Sequence, residues 1–134
     1  MIYFGCIAVR RYDYLLEKRY LCINLTFQKV RRSKRHNMYE VTKVKDETTP
    51  DGIRVIYANT CREVCSQQVA VAVKDGVILE AAFAGGCAGN TQGLCKMIVG
   101  HTVQDVIARL EGIRCGAKPT SCPDQLAKTL KLFI

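Results

Sequence analysis

The sequence lacks the features that mark secreted and membrane proteins. Its 134 residues contain no hydrophobic run long enough to span a bilayer, which takes about 20 residues. The apolar stretch at residues 1–9 has no basic residue before it and no small-residue cleavage site after it, so no secretory signal is predicted. We therefore expect a soluble, cytoplasmic protein of one domain without a membrane partner.

Acidic residues are nearly absent from the first quarter of the chain. Residues 1–37 hold nine Lys and Arg against two acidic residues, a net charge of +7, whereas residues 38–134 hold eleven against ten, a net charge of +1. The basic character therefore predicts no nucleic-acid binding outside residues 1–37. This extension is interpreted either as an arm for RNA or an acidic partner, or as a poorly ordered segment upstream of a start at Met38. The composition shift just before Met38 favours the second interpretation.

Histidine is also scarce, with two residues in the chain. His36 lies in the basic run and His101 lies between two predicted helices, so we expect both side chains to be solvated rather than to bind a ligand. A nearby carboxylate, Asp124, has no histidine or second carboxylate close in sequence. We interpret it as a helix-start charge and not as a general acid.

Three regions are predicted along the chain: an extension over residues 1–37, a lead-in and first strand over residues 38–60, and the main domain over residues 61–134. Residues 39–52 predict a polar lead-in and turn. The first strand is indicated by alternating apolar residues from Ile53, and two further β-rich runs flank Asp75-Gly76. An Asp-Gly pair between such runs predicts a β-hairpin, because a type I′ turn needs positive φ at both central positions.

The pattern then becomes helical. Asn90 is the expected cap of a first helix that Gly100 ends, and Thr102 caps a second that Gly112 ends. Pro123 suits the first turn of a third helix. The order predicts an α+β fold: a small antiparallel sheet, made of the hairpin and one strand, followed by three helices on one face, with a cysteine site at one edge.

Cysteine, with eight residues, is abundant for a chain expected in a reducing compartment, where clustered thiols are more often metal ligands or catalytic groups than disulfides. Four of the eight lie where the chain is expected to turn: Cys65, Cys87, Cys115 and Cys122. If the helices fold back onto the sheet, these thiolates converge, as in sites for zinc or an iron–sulfur cluster. We predict such a metal site at these four residues.

The spacing of the thiols leaves two other interpretations open, since it matches no standard zinc finger. The first is a redox pair with Cys122, at a helix start, as nucleophile and Cys115 or Cys87 as resolving thiol. The second is a set of structural thiols. The glycines at positions 85, 86 and 89 are a weak phosphate-binding signal, because the lysine and serine of a P-loop are missing.

The remaining cysteines are assigned lesser roles. Cys61 is a candidate extra ligand or resolving thiol, four residues before Cys65. Cys95, beside Leu94 in the first helix, is expected to be a small core residue. Cys6 and Cys22 belong to the extension.

The stretch from Cys65 to Leu130 resembles the TSCPD family. The family is named after the one-letter sequence T-S-C-P-D, which residues Thr120 to Asp124 contain. Other matching motifs are Phe83-Ala84-Gly85-Gly86-Cys87-Ala88-Gly89-Asn90, Val99-Gly100 and Leu110-Glu111-Gly112-Ile113-Arg114-Cys115-Gly116. The four cysteines of the predicted site fall on the four of the family. Small members resemble a region near the C-terminus of adenosylcobalamin-dependent ribonucleotide reductases, which implies kinship with ribonucleoside-diphosphate reductase.

The resemblance implies an accessory role rather than a complete reductase. Ribonucleotide reduction in the large enzymes uses a barrel of several hundred residues, so adenosylcobalamin is not expected on this chain alone. The implied partner is a reductase or another redox protein. The order of hairpin, cysteine and helices is also similar in arrangement to U-type iron–sulfur scaffold proteins, where thiolates gather at one end of a small sheet.

Overall fold

A computed structural model describes residues 38–134 as a four-stranded antiparallel sheet followed by three helices, which confirms the predicted α+β class. The strands are β1 (Thr42–Thr48), β2 (Arg54–Asn59), β3 (Ser66–Lys74) and β4 (Val77–Gly85), in the spatial order β1-β2-β3-β4. The helices are α1 (Ala88–Ile98), α2 (Val103–Leu110) and α3 (Cys122–Leu130), with a final 3₁₀ turn over Lys131–Phe133. The predictions for the basic extension, including Cys6, Cys22 and His36, lie outside the described residues.

The predicted hairpin is confirmed as the pair β3 and β4. Lys74 pairs with Val77 across the turn, and the two central residues have positive φ angles of 51° at Asp75 and 76° at Gly76. Glycine adopts this conformation without the steric cost that a side chain adds, and aspartate is among the residues that tolerate it best. The turn sets where the pairing of β3 with β4 begins.

The sheet has four strands, and the first of them, Thr42–Thr48, lies within residues 39–52. The prediction that these residues form a polar lead-in is therefore wrong for Thr42–Thr48. This strand pairs antiparallel with β2, from Thr42 opposite Asn59 to Thr48 opposite Arg54. The alternation of apolar residues did not reveal this strand, because it is an edge strand whose side chains are mostly exposed and charged. The Arg54 guanidinium holds β1 through two contacts of 3.0 and 2.8 Å to Asp46, and it lowers the pKa of that carboxyl to about 2.

All three helices contribute to one core on a single face of the sheet. Leu126 and Leu130 of α3 have no exposed surface and belong to the same buried cluster as Val69 and Val71 of β3. The cluster also includes Phe83, Cys95, Ile98, Val103, Val106 and Ile107. This packing places α3 against β3.

Two of the three helices, α2 and α3, begin at a side-chain cap. Thr102 caps α2 as predicted, and its hydroxyl accepts a hydrogen bond from the Asp105 N–H. In α3 the Ser121 hydroxyl accepts from the Asp124 N–H, with Pro123 in the first turn. The first helix begins earlier than predicted, at Ala88 instead of after Asn90, and its N-cap residue, Cys87, makes no side-chain capping bond. Among residues 38–134, no helix has the length and apolar character needed to cross a membrane.

Candidate thiol site

The strand pairing places the segments that carry Cys65 and Cys87 side by side. Cys65 directly precedes β3, and Cys87 follows the end of β4 by two residues. At this end of the hairpin Ser66 pairs with Gly85. A Cβ atom added at Gly85 would lie 3.5 Å from the Cys65 carbonyl oxygen. The two segments are therefore in direct backbone proximity.

The turn from β4 into α1 depends on Gly86, whose φ angle is 85°. A Cβ atom there would lie 3.3 Å from Thr91 Cγ2 and 3.5 Å from Ser66 Cβ. Thr91 is itself fixed, because its N–H and hydroxyl both donate to the Cys87 carbonyl oxygen, at 2.9 and 3.1 Å. Glycine thus serves both the backbone conformation and the close approach of α1 to the start of β3.

The third thiol, Cys122, belongs to α3 and lies next to the same end of the hairpin. It is the first residue of that helix and is partly buried against the core. Its Sγ atom lies 3.3 Å from the Ser66 Oγ atom, within hydrogen-bonding distance. Ser66 is 3 % exposed, and its carbonyl oxygen accepts a 2.6 Å hydrogen bond from the Thr60 hydroxyl. The Ser66 side chain thereby joins the first residues of β3 and α3, and the Ser66 backbone is held by Thr60.

The fourth thiol, Cys115, lies in the loop between α2 and α3. Its N–H donates to the Thr120 carbonyl oxygen at 3.3 Å, and its own carbonyl oxygen accepts from the Lys118 N–H at 3.1 Å. The Ser121 hydroxyl donates to the Ile113 carbonyl oxygen at 2.6 Å. These bonds fold the loop back onto the start of α3, with Cys115 exposed.

Asp124 anchors this loop from within α3. Its carboxylate accepts hydrogen bonds from the Gly112 N–H (2.8 Å) and the Thr120 hydroxyl (2.6 Å), and Lys128 Nζ lies 3.2 Å away. Burial works to raise the pKa of Asp124, but the bonds from Thr120, Gly112 and Lys128 outweigh it and the pKa is lowered. Asp124 does stand in the first turn of α3, as predicted, but it is buried and holds the loop that bears Cys115.

Gln125 is a functional candidate that the sequence analysis missed. It is fully buried, and its Oε1 atom accepts a 2.9 Å hydrogen bond from the Cys61 N–H. Its Nε2 atom donates to the Tyr39 carbonyl oxygen (2.8 Å) and to the Thr120 hydroxyl (3.0 Å). No local signal in the sequence marks this role, because the partners Cys61 and Tyr39 lie 64 and 86 positions away along the chain.

The six cysteines of residues 38–134 form no disulfide and differ in exposure. Cys65, Cys87 and Cys115 are exposed, Cys122 is partly buried, and Cys61 and Cys95 are buried. In this part of the chain, no three His, Cys, Asp or Glu side chains are grouped so as to hold a metal ion. The segments that carry Cys65, Cys87 and Cys122 adjoin, and the loop that carries Cys115 is bonded to the start of α3, but the four side chains are not assembled as a metal site.

Two further predictions about single residues are confirmed. Cys95 is 2 % exposed in the core cluster. The His101 side chain is exposed, with its Nδ1 atom 3.3 Å from the Asp105 carboxylate in the first turn of α2. Neither residue takes part in the thiol site.

Comparison with known proteins identifies the family. The family model described as the TSCPD domain matches residues 37–134, well over half of the chain. The match supports the link to ribonucleotide reductase-related proteins that the sequence motifs imply. No curated protein and no solved structure gives a significant match. Because the matched region spans all four strands and all three helices, the chain belongs to the TSCPD domain family.

Proposed function

We propose that Cys65, Cys87, Cys115 and Cys122 bind a zinc ion or an iron–sulfur cluster, and that the chain is an accessory module for a ribonucleotide reductase or another redox protein. The observation that carries this proposal is the meeting of β3, the end of β4 and α3 around Ser66. That residue pairs with the strand end leading to Cys87 and contacts the Cys122 thiol at 3.3 Å.

The donor set fits a thiophilic metal. Four thiolates are the ligands of structural zinc sites and of iron–sulfur clusters. Three of the four thiols are exposed, so their side chains can rotate without breaking core packing. The thiols are not already arranged as a metal site, since among the described residues no three potential ligand side chains are grouped to hold a metal ion. Binding would therefore require the thiols to come together from segments that already adjoin.

A bound ion would supply a cross-link between segments that the bare chain joins by hydrogen bonds. Its four ligands would tie the start of β3, the turn before α1, the loop after α2 and the first residue of α3. Metal binding of this kind contributes directly to folding free energy. The proposed role is thus to hold one end of the domain in a fixed shape that a partner can recognise.

The test is the metal content and visible spectrum of protein purified without oxygen and without a metal-affinity tag. Zinc in a one-to-one ratio with a featureless visible spectrum supports a structural site. Iron and sulfide with a broad visible band support a cluster. Protein that carries no metal, takes up none, and keeps its stability in the presence of a chelator contradicts the proposal.

Single substitutions sharpen this test. Serine at any one of the four positions should lower metal content, whereas Cys95→Ala, which removes a core thiol, should not. A lower metal content in Cys61→Ala would identify that buried thiol as an additional ligand. Equal metal loss in Cys95→Ala and in the four site variants would indicate general destabilisation and would contradict the assigned ligands.

A thiol–disulfide relay is the second candidate, favoured by the placement of Cys122 at the start of α3 beside a hydroxyl group. In this scheme the Cys122 thiolate attacks a disulfide of the partner, forms a mixed disulfide and releases one partner thiolate. The Cys115 thiol loses its proton to water, and the resulting thiolate attacks the Cys122 sulfur and releases the second partner thiolate; both partner thiolates are then protonated. The partner disulfide is reduced to two thiols while the chain dithiol becomes a disulfide.

Mapping of disulfides separates the two candidates. After mild oxidation of metal-free protein, the relay predicts a bond between Cys122 and Cys115, or between Cys122 and Cys87. It also predicts that Cys122→Ser abolishes reduction of a model disulfide. A metal-loaded protein whose four thiols resist alkylation until a chelator is added favours the metal site instead.

A further inference from the structure

Gln125 is a buried side chain that connects three separate segments of the chain. Its amide oxygen binds the Cys61 N–H, and its amide nitrogen binds the Tyr39 carbonyl oxygen and the Thr120 hydroxyl. All three distances are between 2.8 and 3.0 Å. With no exposed surface, this amide has little access to water that could replace a lost partner.

Two of the connected segments carry thiols of the proposed site. Cys61 lies in the loop between β2 and β3 that carries Cys65, while Thr120 lies in the loop between α2 and α3 that carries Cys115. Gln125 itself stands in α3 just beyond Cys122. One side chain therefore spans the gap between the loop bearing Cys65 and the helix start bearing Cys122.

We propose that Gln125 is a positioning residue for the thiol site: its amide fixes the 61–65 loop against α3 and so sets where Cys65 lies relative to Cys122. The inference rests on the proposed function for its metal-binding consequence. Outer groups that orient ligands typically change metal affinity by roughly 10–100-fold when removed. Gln125 would act in this way through the backbone of the loop rather than by touching a ligand.

Thr129 offers a matched control on the next turn of the same helix. It is also fully buried and polar, and its hydroxyl donates a 2.9 Å hydrogen bond to the Gln125 carbonyl oxygen. That bond stays within α3 and holds no loop. Gln125→Met and Thr129→Val both keep side-chain volume and remove polar groups, but only the first releases the 61–65 loop.

The first measurement uses reduced, metal-free protein and the alkylation rates of its two buried thiols. Gln125→Met should speed alkylation of Cys61 roughly tenfold, because a lost buried hydrogen bond eases local opening of the loop. Cys95, in α1, is the internal reference and should change by less than about twofold, since its local opening does not involve this loop. Thr129→Val should leave the ratio of the two rates unchanged.

The second measurement is zinc affinity by competition with a chromophoric chelator. We expect zinc binding to weaken roughly 10–100-fold in Gln125→Met and to change far less in Thr129→Val. Unchanged Cys61 alkylation in Gln125→Met overturns the inference whether or not zinc binds. Equal acceleration of Cys61 and Cys95 also overturns it, because that pattern indicates global loosening.

If the unsubstituted protein binds no metal but Cys61 is released only in Gln125→Met, the metal function fails and the loop assignment stands. If Gln125→Met does not fold, hydrogen exchange in the unsubstituted protein tests whether the loop is held at Cys61. The Cys61 amide should then exchange more slowly than the amides of residues 62–64, and equal exchange overturns the inference.

Discussion

The Ser66 hydroxyl and the Cys122 thiol lie 3.3 Å apart, although 56 positions separate them along the chain. This contact joins the first residue of β3 to the first residue of α3. It belongs to a region that hydrogen bonds hold on both sides: Thr60 binds the Ser66 carbonyl oxygen, and Ser121 caps α3. Polar contacts between protein groups therefore hold this end of the sheet together.

A double-mutant cycle measures this contact. In metal-free, reduced protein, Ser66→Ala and Cys122→Ala should each lower the free energy of unfolding, and their effects should not add. We expect a coupling energy of about 0.5–1 kcal/mol from urea unfolding, since a hydrogen bond contributes about that net amount. Additive effects would mean that the two side chains do not interact. The pair Ser66→Ala and Asp105→Asn is the additive control, because α2 begins at the opposite end of the hairpin, where the Val103 N–H donates to the Gly76 carbonyl oxygen.

The two glycines at opposite ends of β4 provide a second prediction. Gly76→Ala should cost about 1 kcal/mol, because φ is positive there but nothing lies within 4 Å of an added Cβ atom. Gly86→Ala adds contacts of 3.3 Å to Thr91 and 3.5 Å to Ser66, so it should cost about 2–3 kcal/mol. Urea unfolding of both variants gives the comparison.

The same pair separates a backbone effect from an effect on the site. Only Gly86→Ala should change the alkylation rates of Cys87 and Cys122, because Gly76 lies in the turn at the other end of the hairpin. Equal destabilisation by both substitutions, with unchanged thiol reactivity, would contradict the close approach described for Gly86.

Much of the fold could be predicted because local sequence and tertiary contacts agree. The Asp75-Gly76 turn and the Thr102 cap are encoded within a few residues, and the structure contains both. The strand Thr42–Thr48 could not be recognised, since an exposed edge strand needs no apolar alternation and is held by its backbone ladder and Asp46.

The elements that carry the thiols of the proposed site could be placed from the sequence, but the arrangement of their side chains could not. The positions of Cys65, Cys87 and Cys122 at element ends follow from turn and helix signals, and the structure brings their segments together. The supporting role of Gln125 could not be read from the sequence, because its partners, Cys61 and Tyr39, lie 64 and 86 positions away. Contacts at that separation depend on the packing of α3 against β3.

Acid should destabilise the domain through Asp124. Folding lowers the pKa of this carboxyl below its ordinary value of 3.8, so its stabilising effect is complete above that pH and is lost as the pH falls through the folded value. Asp124→Asn should therefore lower the free energy of unfolding by about 1–3 kcal/mol at pH 7. The difference from the unsubstituted protein should shrink below pH 3.8.

Asp105→Asn is the matched control for this prediction. Asp105 occupies the corresponding first-turn position of α2, where the Thr102 hydroxyl binds its N–H, but its side chain is 38 % exposed. We expect a loss of less than about 1 kcal/mol, because its ion pairs with His101 and Arg109 are exposed to solvent. Urea unfolding from pH 2.5 to pH 7 tests both variants, and a constant deficit of Asp124→Asn across that range would contradict the assignment.

Zinc binding at the proposed site should stabilise the fold in a concentration-dependent way. A ligand that binds the folded state alone adds about 2.7 kcal/mol at a free concentration 100 times its Kd. The unsubstituted protein and Cys95→Ala should both gain this stability, and Cys115→Ser should gain much less. Hydrogen exchange should slow chiefly in residues 61–66, 85–91 and 112–122, since these segments carry the four thiols. Stabilisation spread evenly over the domain, or retained in Cys115→Ser, would place the metal elsewhere.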